Sequence, residues 1–182
     1  MKPRLSLVFE SFIKLPAKKH KMQQKLTKTF CAFCASLWLF SVVNAQTFET
    51  PDFRLRLVKE SQTVAALDPK NIPGFDFTPS DRLSQRAANR YHHLGDLILS
   101  ARVGSSGPWL KYDTAESRAP VEPLPATGST LAAANLSSTL PPDIPLEITR
   151  SWLVENGILV LRFELRNKAN QTVELGALGI PM

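Results

Sequence analysis

The chain has 182 residues, 43% of them apolar, with 22 Lys+Arg against 16 Asp+Glu. Such a size suits one domain, or one domain with an appendage; the apolar content excludes wholesale disorder, and the composition is neither collagen-like nor disulfide-dense. The positive charge is local: residues 1–45 hold eight Lys/Arg and one acid, whereas residues 46–182 hold fourteen Lys/Arg and fifteen acids. The basic pI therefore belongs to the N-terminal quarter and indicates no nucleic-acid partner.

Residues 25–45 have the layout of a secretory signal. Lys25 and Lys28 form a positive flank, an apolar run follows from Phe30 to Val43, and Val43-Asn44-Ala45 offers the short residues that signal peptidase accepts. The run has 14 residues, short of the ~20 that a spanning helix needs. We therefore expect a cleaved signal peptide over 1–45, no stable membrane span, and a secreted, extracellular product beginning at Gln46. Met22 opens a segment of typical signal length, so residues 1–21 read as a mis-called start or as an extended positive flank. A mitochondrial presequence is the competing reading, opposed by the strong apolar run. Cys31 and Cys34 both fall inside that run, which makes their Cys-x-x-Cys spacing coincidental and leaves the mature chain without a disulfide. Two sequons, Asn135-Leu136-Ser137 and Asn170-Gln171-Thr172, mark Asn135 and Asn170 for glycosylation in a eukaryotic host.

Beyond Gln46 the hydrophobic period is two. Phe53, Leu55 and Leu57 alternate with Arg54 and Arg56, and 53–67 reads as a hairpin. Pro69, Pro73, Gly74 and Pro79 make 68–81 a loop, with Phe75 and Phe77 on either side of Asp76. A short helix capped by Ser80 or Asp81 is expected from Asp81 to Arg90. Leu97, Leu99, Ala101 and Val103 predict a strand, Gly104 to Pro108 a turn, and Trp109 to Tyr112 the returning strand. Residues 117–129, with Pro120, Pro123 and Pro125, read as extended loop, followed by a weakly marked strand near 130–139. In the last third, Leu146, Ile148 and Trp152 share one face, with Arg150 between them. Asn156-Gly157 is a tight hairpin turn, and Leu159, Leu161, Phe163 and Leu165 line the partner strand. A third strand at Val173-Glu174-Leu175 extends this into an expected meander. One sealed face requires a second layer, so the predicted fold over 46–182 is an all-β, antiparallel β-sandwich.

Groups able to do chemistry are few. The densest cluster is Tyr91-His92-His93-Leu94-Gly95-Asp96. Adjacent histidines on a strand point to opposite faces, and no further ligand is marked, so no metal and no cofactor are expected. His92 or His93, with Asp96, are the candidates for acid–base catalysis. Asp76, Asp81, Asp96 and Asp113 are the carboxylates available for paired work, although Asp96 and Asp113 also read as strand ends. Trp109 and Tyr112, beside a flexible loop, are the candidate ligand-binding residues, since sugars stack their C–H faces on such rings. Trp152 reads as core.

Several segments resemble the N-terminal region of a large family of secreted, poorly characterised fungal and bacterial proteins with glycoside-hydrolase-like architecture. They are Asp76-Phe77 with Pro79 and Asp81, Tyr91 to Leu97, Trp109, Arg150-Ser151-Trp152, Leu161 to Asn167, and Glu174 to Met182, spread over most of 50–182. The resemblance implies a mutarotase-like β-sandwich that precedes an α-helical toroid carrying carbohydrate chemistry. The chain ends on the apolar run Gly176 to Met182, where that family would continue, so a truncated fragment lacking its C-terminal helical partner is expected. The expected role is a secreted, non-catalytic sandwich of a carbohydrate-active protein. The alternatives are a free-standing glycan-binding module and a small mutarotase- or lyase-type enzyme.

Overall fold

Apolar side chains at every second position can be buried on one side of a strand only if another layer covers them, and the chain supplies that layer itself. The structure is a computed structural model and describes residues 11–12, 45–78 and 88–181. Its strands are β1 (Ser11–Phe12), β2 (Ala45–Glu49), β3 (Phe53–Val58), β4 (Val64–Pro69), β5 (Ile98–Val103), β6 (Leu110–Asp113), β7 (Glu122–Leu124), β8 (Thr130–Asn135), β9 (Leu146–Glu155), β10 (Ile158–Asn167) and β11 (Val173–Gly179). They form a five-stranded sheet in the order β1-β10-β9-β8-β7 and two three-stranded sheets, β2-β3-β4 and β11-β5-β6, with every pairing antiparallel. The expected leader, residues 1–45, lies outside the described residues except for β1, whose Ser11 and Phe12 pair with Leu161 and Val160, and Ala45, which opens β2 opposite Val58. The helix expected between Asp81 and Arg90 likewise falls on residues that are mostly outside them.

The longest hairpin follows directly from its sequence. Ten residues of β9 pair with ten of β10, from Ile158 opposite Glu155 to Asn167 opposite Leu146. Asn156 and Gly157 both take positive φ, 52° and 78°, which is the two-residue turn that matches strand twist. The inward faces of β9 and β10 meet those of β3, β4, β5 and β6 in one cluster that includes Leu55, Leu57, Leu67, Leu99, Ile148, Trp152, Phe163 and Leu165. The two small sheets thus make the layer opposite the large one, and the fold is an antiparallel β-sandwich. Small residues accommodate large ones across strands: Ala132 stands opposite Trp152, and Ala134 opposite Arg150.

Two expectations need correction. The third strand of the meander, β11, does not continue the β9–β10 sheet; it crosses to the other layer and pairs with β5, from Val173 opposite Val103 to Gly179 opposite Ile98. There its half-buried Val173, Leu175 and Leu178 pack on the core, filling a place that local pairing with β10 would leave open. Within the proline-rich 117–129 stretch, Glu122 to Leu124 form β7, a strand at the sheet's edge. Pro123 fits there because an edge strand can spare one N–H.

Candidate functional site

The loop before β5 carries the histidine–aspartate cluster, and the sandwich divides its members. Asp96 is 1% exposed. Arg118 reaches it from the far side of β6 with a two-pronged pairing, Nη1 to Oδ1 at 2.6 Å and Nη2 to Oδ2 at 2.7 Å. The His93 backbone N–H donates to Oδ2 at 2.7 Å, and the Thr114 hydroxyl donates to Oδ1 at 3.2 Å. Arg118 Nη2 also donates to the Tyr91 carbonyl. Every lone pair of Asp96 thus has a claimant, as a buried carboxylate requires. Such a carboxylate organises the loop and is poorly placed to take a proton from a substrate.

Arg150 lies beside this pair and is itself buried. Its Nη1 donates to the Gly95 carbonyl at 2.6 Å and its Nη2 to the Ser61 carbonyl, while Trp152 Nε1 donates to the Gln62 carbonyl at 3.0 Å. Burial pushes the Arg150 guanidinium down to about 10, against the opposing pull of the Asp96 charge. Gly95, at φ 107°, leaves little room for a side chain: a Cβ there would stand 3.1 Å from Trp152 Cζ2 and 3.3 Å from Arg150 Nη1. Two arginines, one aspartate and one tryptophan therefore lock the 61–63 turn and the 91–96 loop onto the large sheet. Arg118 carries no local signal in the sequence. Arg150 does, because it sits in phase with Ile148 and Trp152.

His92 and His93 point apart. His93 is buried, whereas His92 is exposed and its Nε2 lies 2.6 Å from Asp113 Oδ2 at the end of β6. Asp113 Oδ1 accepts from the Ala115 N–H at 2.9 Å. Asp76 is occupied by its own loop, accepting from the Leu67 and Thr78 backbone N–H groups at 3.1 and 2.7 Å. Asp81 lies outside the described residues. Among the described residues no three His, Cys, Asp or Glu side chains gather in a way that would hold a metal ion.

The two candidate ligand-binding aromatics separate as well. Tyr112 is 4% exposed and belongs to the core, so the expectation that it shares a surface with Trp109 is corrected. Three positions apart on an extended segment, the two rings fall on opposite faces. Trp109 stands on the outer face of the β11-β5-β6 sheet and is 48% exposed. The Arg102 guanidinium sits 4.7 Å from its ring centroid, and Glu174 holds that guanidinium in turn at 2.6 Å. The ring also lies against Gly176, where a Cβ would come within 2.9 Å of Trp109 Cζ3. A large aromatic is thereby fixed at the surface with hydrogen-bonding groups beside it. Of the two sequons, Asn170 is exposed in the β10–β11 turn, and Asn135 is half-buried at the end of β8, with Oδ1 accepting from the Ser137 N–H and hydroxyl.

Fold and site together define an antiparallel β-sandwich whose charged residues brace its loops and whose exposed aromatic side chains, among the described residues, include an anchored tryptophan. The chain belongs to a family of unknown function, DUF5695, whose match covers residues 56–182. No curated protein and no solved structure matches it. Among the described residues no helix is long and apolar enough to cross a membrane.

Proposed function

We propose that this chain is a non-catalytic β-sandwich of a secreted carbohydrate-active protein and that it contacts glycan through the Trp109 surface. The supporting observation is the anchoring of Trp109 by Arg102 and Gly176 while the residue stays about half exposed. A ring already held in place loses little side-chain entropy when a ligand lands on it. Arg102, Lys111 and Glu174 lie on the same outer face and offer donors and acceptors to hydroxyl groups. The burial of Asp96 and His93 argues against chemistry there, since both are part of the packing that holds the loop.

Covering roughly 60 Å² of ring is worth about 1.5 kcal/mol at ~25 cal/mol per Å², or about tenfold in affinity. The test is a glycan array followed by calorimetric titration of the best neutral ligand against the wild-type chain and Trp109→Ala. A loss of about tenfold with an unchanged unfolding midpoint is expected; equal affinity for both proteins refutes the assignment. A second reading, a small mutarotase- or lyase-type enzyme, draws on the exposed His92–Asp113 pair. It requires turnover that disappears in His92→Ala, and an unaffected His92→Ala rate eliminates it.

A further inference from the structure

Where the start of β2, the turn between β3 and β4 and the β7–β8 hairpin come together, the sandwich holds a cavity of about 550 Å³ that the Trp109 surface does not use. A space of this order suits a small ligand or a sugar unit. Leu124, Ala126, Leu131 and Ala133 give it an aliphatic wall, and the exposed Gln46 and Lys59 line its open side. Leu124 of β7 pairs with Ala133 of β8. The Val121 N–H donates to the Glu60 carbonyl at 2.8 Å, which ties this hairpin to the β3–β4 turn.

Gln62 belongs to the same lining and has unmet bonding capacity. It is 4% exposed, yet its side-chain Oε1 is buried without a hydrogen-bond partner among the described residues. The backbone of Gln62 is fixed from both sides: its N–H donates to the Val58 carbonyl at 2.7 Å, and its carbonyl accepts from Trp152 Nε1 at 3.0 Å. Its φ of 51° is a left-handed conformation that costs a non-glycine residue free energy. The turn thus keeps a polar amide at the wall of an aliphatic cavity, where an unpaired acceptor is costly. The terminal torsion of a glutamine is broad, so the amide can turn toward a ligand while this backbone stays in place.

We propose that this cavity binds the acetamido group of an N-acetylated amino sugar, its methyl against Ala126 and Leu131 and its N–H on Gln62 Oε1. An acetamido group joins a small apolar cap to one donor and one acceptor, which is what an aliphatic wall beside a single amide can match. A hydroxyl in its place would set a polar group against that wall. Because the ligand amide carries both a donor and an acceptor, it pairs with Gln62 whichever way the glutamine amide is turned. The site rests on the carbohydrate reading of the chain but uses none of the residues around Trp109.

The experiment titrates the full chain with chitotriose, whose sugars carry acetamido groups, and with cellotriose, which has the same linkage and hydroxyls in their place. Chitotriose binds about tenfold more tightly, the effect of one hydrogen bond together with a buried methyl. Gln62→Met keeps the side-chain length, abolishes that preference and raises the unfolding midpoint by about 2 °C, because the unpaired acceptor is gone. Ala126→Leu, at an exposed position, fills the cavity and also abolishes the preference, so the test stands even if Gln62→Met does not fold. Trp109→Ala leaves the preference intact. Equal affinity of the wild-type chain for the two trisaccharides, or a preference that survives either cavity substitution, overturns the assignment. A Gln62→Met protein with a lowered midpoint and an untouched preference would show a structural, solvent-bridged glutamine and would also overturn it. If both trisaccharides bind equally and in a Trp109-dependent way, only the cavity has failed; if neither binds, the carbohydrate reading fails with it.

Discussion

Removing Arg118 should expose how strongly the sandwich depends on its buried charges. In Arg118→Met the stem volume is largely kept, but Asp96 loses the paired bonds of 2.6 and 2.7 Å while remaining almost fully enclosed. Breaking one partner of a buried pair costs about 3–5 kcal/mol, a large share of the ~5–15 kcal/mol that keeps a domain folded. For a domain of this size that is a fall of about 10 °C in Tm. Asp96→Asn should cost more, because Arg118 and Arg150 would then share the site with no anion between them, and the Asp96 charge is what offsets the burial of Arg150. Combining both, Asp96→Asn with Arg118→Met, should cost less than the sum of the singles, since the broken pair is then counted once, although Arg150 still loses its counter-ion. Equilibrium urea unfolding of the four proteins measures this directly. Single-variant losses below about 1 kcal/mol, or Arg118→Met worse than Asp96→Asn, would refute the view that Asp96 is the central counter-ion of this network.

Gly95→Ala should destabilise by about 1–3 kcal/mol, since its φ of 107° strains any other residue and its Cβ would press on Trp152 and Arg150; thermal melts check this. Gly176→Ala places a Cβ 2.5 Å from Ser100 Oγ and 2.9 Å from Trp109 Cζ3. It should therefore shift the Trp109 ring and reduce glycan affinity with a smaller fall in Tm than Gly95→Ala. Burial, and after it the negative charge of Asp143, push the Tyr112 phenol above its ordinary value. The stability gained from keeping that phenol neutral is complete below a pH of about 10 and is lost as pH rises through the raised folded value. Tyr112→Phe should accordingly remove a late component of the tyrosinate absorbance change on alkaline titration.

The β9–β10 hairpin was legible because its determinants are local: alternation on both sides of Asn156-Gly157 sets turn and register together. The partner of β11 was not, because Val173-Glu174-Leu175 reads equally well beside β10 or across the sandwich, and only closure of the core on Leu99 and Ala101 selects β5. For the site, Asp96 and Asp113 were expected as possible strand ends, and that is where they stand. Arg118, 22 residues from Asp96, was missed because nothing near it in the chain marks a buried cation. Trp109 and Tyr112 are neighbours in sequence, but strand parity sets them on opposite faces.

By itself the sequence determined where the charge lies, that the backbone runs in strands from Phe53 onward, and that one face of each must be hidden. Those properties depend on composition and on neighbours one or two residues away. Tertiary structure decided which arginine is buried with Asp96, which layer β11 joins, and that Trp109 is held at the surface by Arg102 and Gly176. Each of these pairs groups far apart in the chain, so its energy exists only once the two layers have closed and water has been excluded between them.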